Sequence, residues 1–156
     1  MARAGLADSE ELRRLLHRLF RRFGVLSAQL TPCGKPLSLA HAHALLILLA
    51  NGECSQQELG AELCIDKSNV ARLCARMVEL GHAAQRPCEN DGRSRRVSLT
   101  ARGERLARDV DVGSRARFAA LLAAVPERSQ RPVLDALKQL TAALEQLPSS
   151  AEGMGQ

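Results

Sequence analysis

The chain has 156 residues, of which 46% are hydrophobic, enough for one compact domain with extensions. It has no Trp, no Tyr and only three Phe, and its Leu- and Ala-rich core favours packed helices over a large sheet. A net charge of +5 suits a polyanionic partner, and no apolar run approaches the ~18 residues of a membrane span, so no membrane partner is expected.

Residues 8 to 31 are expected to form a first helix. Leu12, Leu15, Leu16, Leu19, Phe20, Phe23 and Leu26 recur mostly at three- and four-residue steps. Arginines fill the opposite side, as a solvated face of a packed helix or as a surface for DNA or lipid. Thr31-Pro32-Cys33-Gly34-Lys35-Pro36 is a break. Ser38 then caps a second helix that ends at Asn51-Gly52. Ser55-Gln56-Gln57-Glu58 has the form of a capping box and opens a short third helix with Leu59 and Leu63 buried. Cys64-Ile65-Asp66 is a turn, and Asp66 or Ser68 caps a fourth helix. Val70, Leu73, Cys74 and Met77 share one face of it. Gly81 closes it.

Residues 83 to 87 and 96 to 100 read as two short strands. The turn formers between them include Asp91-Gly92, a hairpin signal. The first strand is weakly apolar and is interrupted by Pro87, which leaves its register open. Thr100 caps a long helix from Ala101 to about Val125. A last helix runs from about Ser129 to Leu147, with Val133, Leu137, Leu140, Leu144 and Leu147 at near-heptad spacing. The Ser- and Gly-containing tail from Pro148 is expected to be disordered. The fold class is mainly α with a small β-hairpin wing. Its regions are an N-terminal helix and break (8–36), a winged helix-turn-helix (37–100), C-terminal helices (101–147) and a tail (148–156).

Two helices joined by a tight turn and followed by a basic hairpin suit double-stranded DNA. A helix fits the ~12 Å-wide major groove of B-DNA, where side chains reach base edges. A projecting arginine suits the negative potential of a narrow minor groove. Candidate contacts are Lys67, Ser68, Asn69, Arg72 and Arg76 on the fourth helix, with Arg93 and Arg95 in the hairpin. Arginine supplies every cation except Lys35, Lys67 and Lys138. Its forked head suits phosphate and guanine edges, although GC-rich coding gives the same bias.

Residues 37 to 108 resemble the MarR family of bacterial regulators. The matching text is Ser55-Gln-Gln-Glu-Leu-Gly, Asp66-Lys-Ser-Asn-Val-Ala-Arg-Leu, Leu80-Gly81, Asp91-Gly-Arg93 and Val97-Ser-Leu-Thr-Ala-Arg-Gly103. The resemblance implies a cytoplasmic homodimer on a pseudo-palindromic operator, acting as a repressor. Its first and last two helices would intertwine with those of the partner. It implies Arg93 as the minor-groove residue, held by Asp91, and Ser68, Asn69 and Arg72 as recognition-helix contacts. Arg95 stays open as an alternative to Arg93.

An effector is less legible. The resemblance places the family's usual pocket near Cys33, His41 and His43. Cys and His can bind a metal, but histidines two apart on a helix point in different directions. The five cysteines lack C-x-x-C spacing, and reduced thiols are expected. Cys33 near Lys35 is the first choice for an oxidant switch. Cys54 and Cys88 are candidates for proximity across the wing sheet. Cys64 and Cys74 are candidates for packing inside the helix-turn-helix. A small organic ligand is the remaining option, and no cofactor is expected. No nucleophile elbow, phosphate loop or H-E-x-x-H motif points to an enzyme. A protein-binding winged helix is the other rival, and clustered arginines on the recognition face argue against it.

Overall fold

The computed structural model describes residues 2–26, 31, 34–88 and 95–147. The order is α1 (Ala2–Phe23), α2 (Leu39–Asn51), β1 (Glu53–Ser55), α3 (Gln56–Glu62), α4 (Lys67–Glu79), β2 (Ala83–Pro87), β3 (Arg95–Leu99), α5 (Ala101–Ala123) and α6 (Glu127–Glu145). The chain divides into two compact units, 1–114 and 115–156, with the boundary inside α5. No described helix is long and apolar enough to cross a membrane.

α1 differs from the sequence expectation of 8 to 31. It starts at Ala2 and stops at Phe23. Gly24 takes a positive φ of 82°. Its N–H donates to the Arg21 carbonyl, and the Val25 N–H donates to the Phe20 carbonyl. This paired glycine cap ends the helix although the apolar spacing runs on to Leu26.

The other helix starts follow local chemistry. Ser38 accepts from the His41 N–H and caps α2. Ser55 and Glu58 form the full capping box of α3, with Ser55 Oγ accepting at 3.1 Å and Glu58 Oε2 at 2.6 Å. Asp66, not Ser68, caps α4. Cys64, in the turn between α3 and α4, adopts a left-handed φ of 53° and is exposed. The expectation that it packs inside the helix-turn-helix is therefore corrected: the turn needs that conformation, and it points the side chain outward.

The sheet has three antiparallel strands in the order β1-β3-β2. β1 was not expected from sequence, since three residues are too few to show alternation. Pro87 pairs opposite Arg95 at the end of β2. β2 is an edge strand, where a residue without an N–H is tolerated. Cys54 lies in β1 and Cys88 follows β2, so β3 separates the strands that lead to them.

In the first unit, Leu45 and Leu48 of α2, Leu59 of α3, Val70, Cys74 and Met77 of α4, Val97 of β3, and Ala107 and Val110 of α5 form one buried cluster. Each fully buried Leu contributes roughly 1.5–3 kcal/mol. In the second unit, α6 buries no residue, and Val133, Leu134, Leu137 and Leu144 are exposed. Along α1, Leu6, Leu12, Leu15, Leu19 and Phe20 are exposed as well.

One joint fixes α4, the wing and α5. The His82 N–H donates to the Met77 carbonyl at 2.8 Å, and the His82 carbonyl accepts from the Thr100 N–H at 3.1 Å. Thr100 Oγ1 donates to the Gly81 carbonyl at 2.6 Å and accepts from the Gly103 N–H at 3.0 Å. A Cβ on Gly103 would lie 1.8 Å from the His82 carbonyl oxygen. The clash is with backbone and cannot be relieved by a rotamer. Gly103→Ala is expected to lower stability by about 3 kcal/mol, measured by urea unfolding. A loss under ~1 kcal/mol would show that the joint is looser than its geometry.

Candidate nucleic-acid interface

α4 turns Val70, Cys74 and Met77 inward, at four- and three-residue steps. That leaves Ser68, Asn69, Arg72 and Arg76 exposed together on its outer side, with Lys67 exposed at the first position of the helix. Asp66 organises the N-terminal end. Its carboxylate accepts from Ser68 Oγ at 2.7 Å, from the Asn69 N–H at 2.8 Å and from the Asn69 amide group. These bonds, led by the backbone N–H of Asn69, hold its pKa below the usual carboxylate value. Asn69 Oδ1 in turn accepts from Arg72 Nη2 at 2.5 Å. Asp66, Ser68, Asn69 and Arg72 are thus one connected chain at the start of the helix. One turn on, Arg76 pairs with Glu79 at 2.6 Å.

The wing supplies the second part. Arg95 is exposed at the start of β3. Asp91 and Arg93 lie outside the described residues. Arg96, the next residue along β3, is held by Glu53 at 3.0 Å. Glu53 also accepts two bonds from Arg86, at 2.7 and 2.8 Å. The Arg86 hydrogen bonds and the Arg96 contact hold the Glu53 carboxyl down to about 2. The sequence offered no sign of this cluster, because its members are 33 and 43 residues apart.

Of the effector candidates, His41 and His43 lie on different sides of α2. Cys33 lies outside the described residues. His43 is exposed on α2, and His41 is 4% exposed on the buried side. His41 Nε2 instead meets Nδ1 of His82, 6% exposed, at 3.2 Å. Among the described residues no group of three or more His, Cys, Asp or Glu could hold a metal. Cys54 and Cys74 are buried, and burial pushes the Cys74 thiol up to about 11 and the Cys54 thiol in the same direction, away from the reactive thiolate.

A recognition-type helix packed beside a three-stranded wing defines a winged helix-turn-helix. A family model described as "MarR family" matches residues 35–94, which include α2 to β2. The chain has the fold of MarR-family transcriptional regulators. It is similar to a MarR transcriptional regulator from Methanosarcina mazei Go1 (24% identity, 88% of this chain and 99% of that chain, TM-score 0.71). It is also similar to FabT from Streptococcus pneumoniae in complex with DNA (17% identity, 92% and 99%, TM-score 0.71). A third similar structure is the PcaV transcriptional regulator from Streptomyces coelicolor in complex with its natural ligand (20% identity, 85% and 91%, TM-score 0.67). No curated protein sequence matches the chain.

The histidine pair gives a pH dependence. Burial, then the neighbouring His82 and Arg76, lower the His41 pKa from 6.5 to about 4. Burial, then Arg102, lower that of His82. The folded rings resist protons that the unfolded chain accepts. Their stabilising contribution is therefore present above pH 6.5 and is lost as pH falls below it, for His41 towards about 4. Thermal melts should show this fall in the native chain. It should be smaller in a His41→Gln/His82→Asn variant, whose amides occupy the bonded positions without titrating. Identical pH profiles would contradict the assignment.

Proposed function

We propose that the chain is a sequence-specific regulator of transcription that binds double-stranded DNA as a homodimer. The observation that carries this reading is the exposed, Asp66-organised face of α4 beside a wing with Arg95 at the start of β3. In this reading α4 enters the major groove. Ser68, Asn69 and Arg72 reach base edges, and Lys67 and Arg76 meet phosphate. Arg93, held by Asp91, or Arg95 enters the minor groove. The DNA complex of the similar FabT structure supports the partner.

The exposed leucines of α1 and α6 support the homodimer, since an amphipathic helix with an uncovered apolar face gains by pairing. Two-fold symmetry then calls for half-sites about 10 base pairs apart. The ligand complex of the similar PcaV structure supports a small-molecule effector over an oxidant. The buried Cys54 and Cys74 weigh the same way, so any thiol response falls to Cys33, Cys64 or Cys88, with Cys33 first for its nearness to Lys35.

Selection of bound duplexes from a random pool should return one pseudo-palindrome. Peroxide and zinc are added in parallel arms to test the other effector classes. Against that site, Arg72→Ala should shift base preference as well as weaken binding, by about 1–3 kcal/mol. Arg93→Ala should weaken binding several-fold and lower the salt dependence. A pool that returns no enriched sequence would overturn the reading.

A further inference from the structure

The Glu53 cluster lies on the wing but outside the proposed contact set. Cys54, Val97 and Gln85 are in register across the three strands, and Cys54 and Val97 are buried, so that face looks into the helices. By the two-residue alternation of strands, Glu53 and Ser55, Arg96, and Arg86 share the opposite face. Arg86 and Arg96 are direct cross-strand partners there. Like charges directly opposite are destabilising. Glu53 removes that conflict: its carboxylate accepts from both guanidinium groups, and its carbonyl accepts a further bond from Arg96 at 3.2 Å.

The position of this pair bears on DNA binding. Arg86 and Arg96 sit one rung behind Pro87 and Arg95. One rung is about 3.4 Å along the strands, well within the reach of an arginine side chain. A ribbon that enters a groove has a phosphate backbone on either side. Without the Glu53 carboxylate, Arg96 would be available to phosphate and Arg86 would lose two of its bonds. Phosphate contacts raise affinity for every sequence and carry no base information.

Resting on the DNA-binding reading, we propose that Glu53 is a specificity-setting residue that holds Arg86 and Arg96 away from the phosphate backbone. Sequence-independent attraction at the wing is then limited, and the ratio of specific to non-specific binding is raised. Glu53 positions other groups and does not itself touch DNA.

The test compares the native chain with Glu53→Gln and Glu62→Gln. Glu62 is an exposed carboxylate on α3, so its replacement makes the same net charge change. Binding to a random-sequence duplex is measured from 50 to 200 mM salt, with circular dichroism as the check on folding. Glu53→Gln should bind the random duplex about five-fold more tightly, with a log–log salt slope steeper by about 1 to 2. Glu62→Gln should change the slope much less, and the preference for the selected operator should fall only in Glu53→Gln. Equal slopes in the two variants, or weaker random-duplex binding in a folded Glu53→Gln, would overturn the proposal. If Glu53→Gln does not fold, Arg86→Gln decides. A guanidinium already withheld from DNA leaves the slope unchanged when removed, whereas a fall of about 1 marks a phosphate contact and overturns the proposal. A native chain that fails to bind duplex DNA at 50 mM salt overturns the parent reading. Binding with matched slopes overturns this inference alone.

Discussion

The backbone of His82 is the point on which the winged-helix half of this chain turns. Its N–H closes the end of α4, its carbonyl receives the first N–H ahead of α5, and β2 begins at the next residue. Gly103 has no side chain because α5 rests directly on that carbonyl. Helix, wing and connecting helix therefore share one short hydrogen-bonded corner and cannot rotate independently. The Leu99-Thr100-Ala101-Arg102-Gly103 text is in this light a packing joint: Thr100 spans it from above and Gly103 permits the approach. The His41–His82 contact ties the same corner to α2 through groups that stay neutral in ordinary buffer.

Around this corner, carboxylates arrange the cations: Asp66 acts on Arg72 through Asn69, and Glu53 holds Arg86 and Arg96 directly. Both work at the surface, where an isolated ion pair is worth little and geometry matters more than attraction. Ordering side chains before a ligand arrives lowers the entropy lost when it binds. The connected Asp66, Asn69 and Arg72 groups fit that role, because an incoming polar group could replace one hydrogen bond without disordering the rest.

What the sequence revealed was mostly local. Ser38, the Ser55–Glu58 box, Asp66 and Thr100 act over three residues, so their roles could be read directly. The helix-turn-helix core followed from the spacing of Val70, Cys74 and Met77. The long-range pairs were invisible: Glu53 with Arg86 and Arg96, and His41 with His82, 41 residues apart. No local pattern encodes them. Two local signals mislead as well. Apolar spacing that runs on past Gly24 hides the end of α1, and the place of Cys64 between two helices suggests packing that its left-handed backbone denies. Neither glycine-type backbone geometry nor a three-residue strand leaves a periodic trace.

The sheet's two borders also constrain how copies of the chain can meet. β1 offers three residues along one side, and β2 ends in Pro87, which has no amide hydrogen to donate. A border so short on one side and capped on the other is a poor template for another chain's backbone, which guards against runaway strand-to-strand growth. Any pairing between copies is then left to the helices, whose side-chain contacts could close a pair and stop.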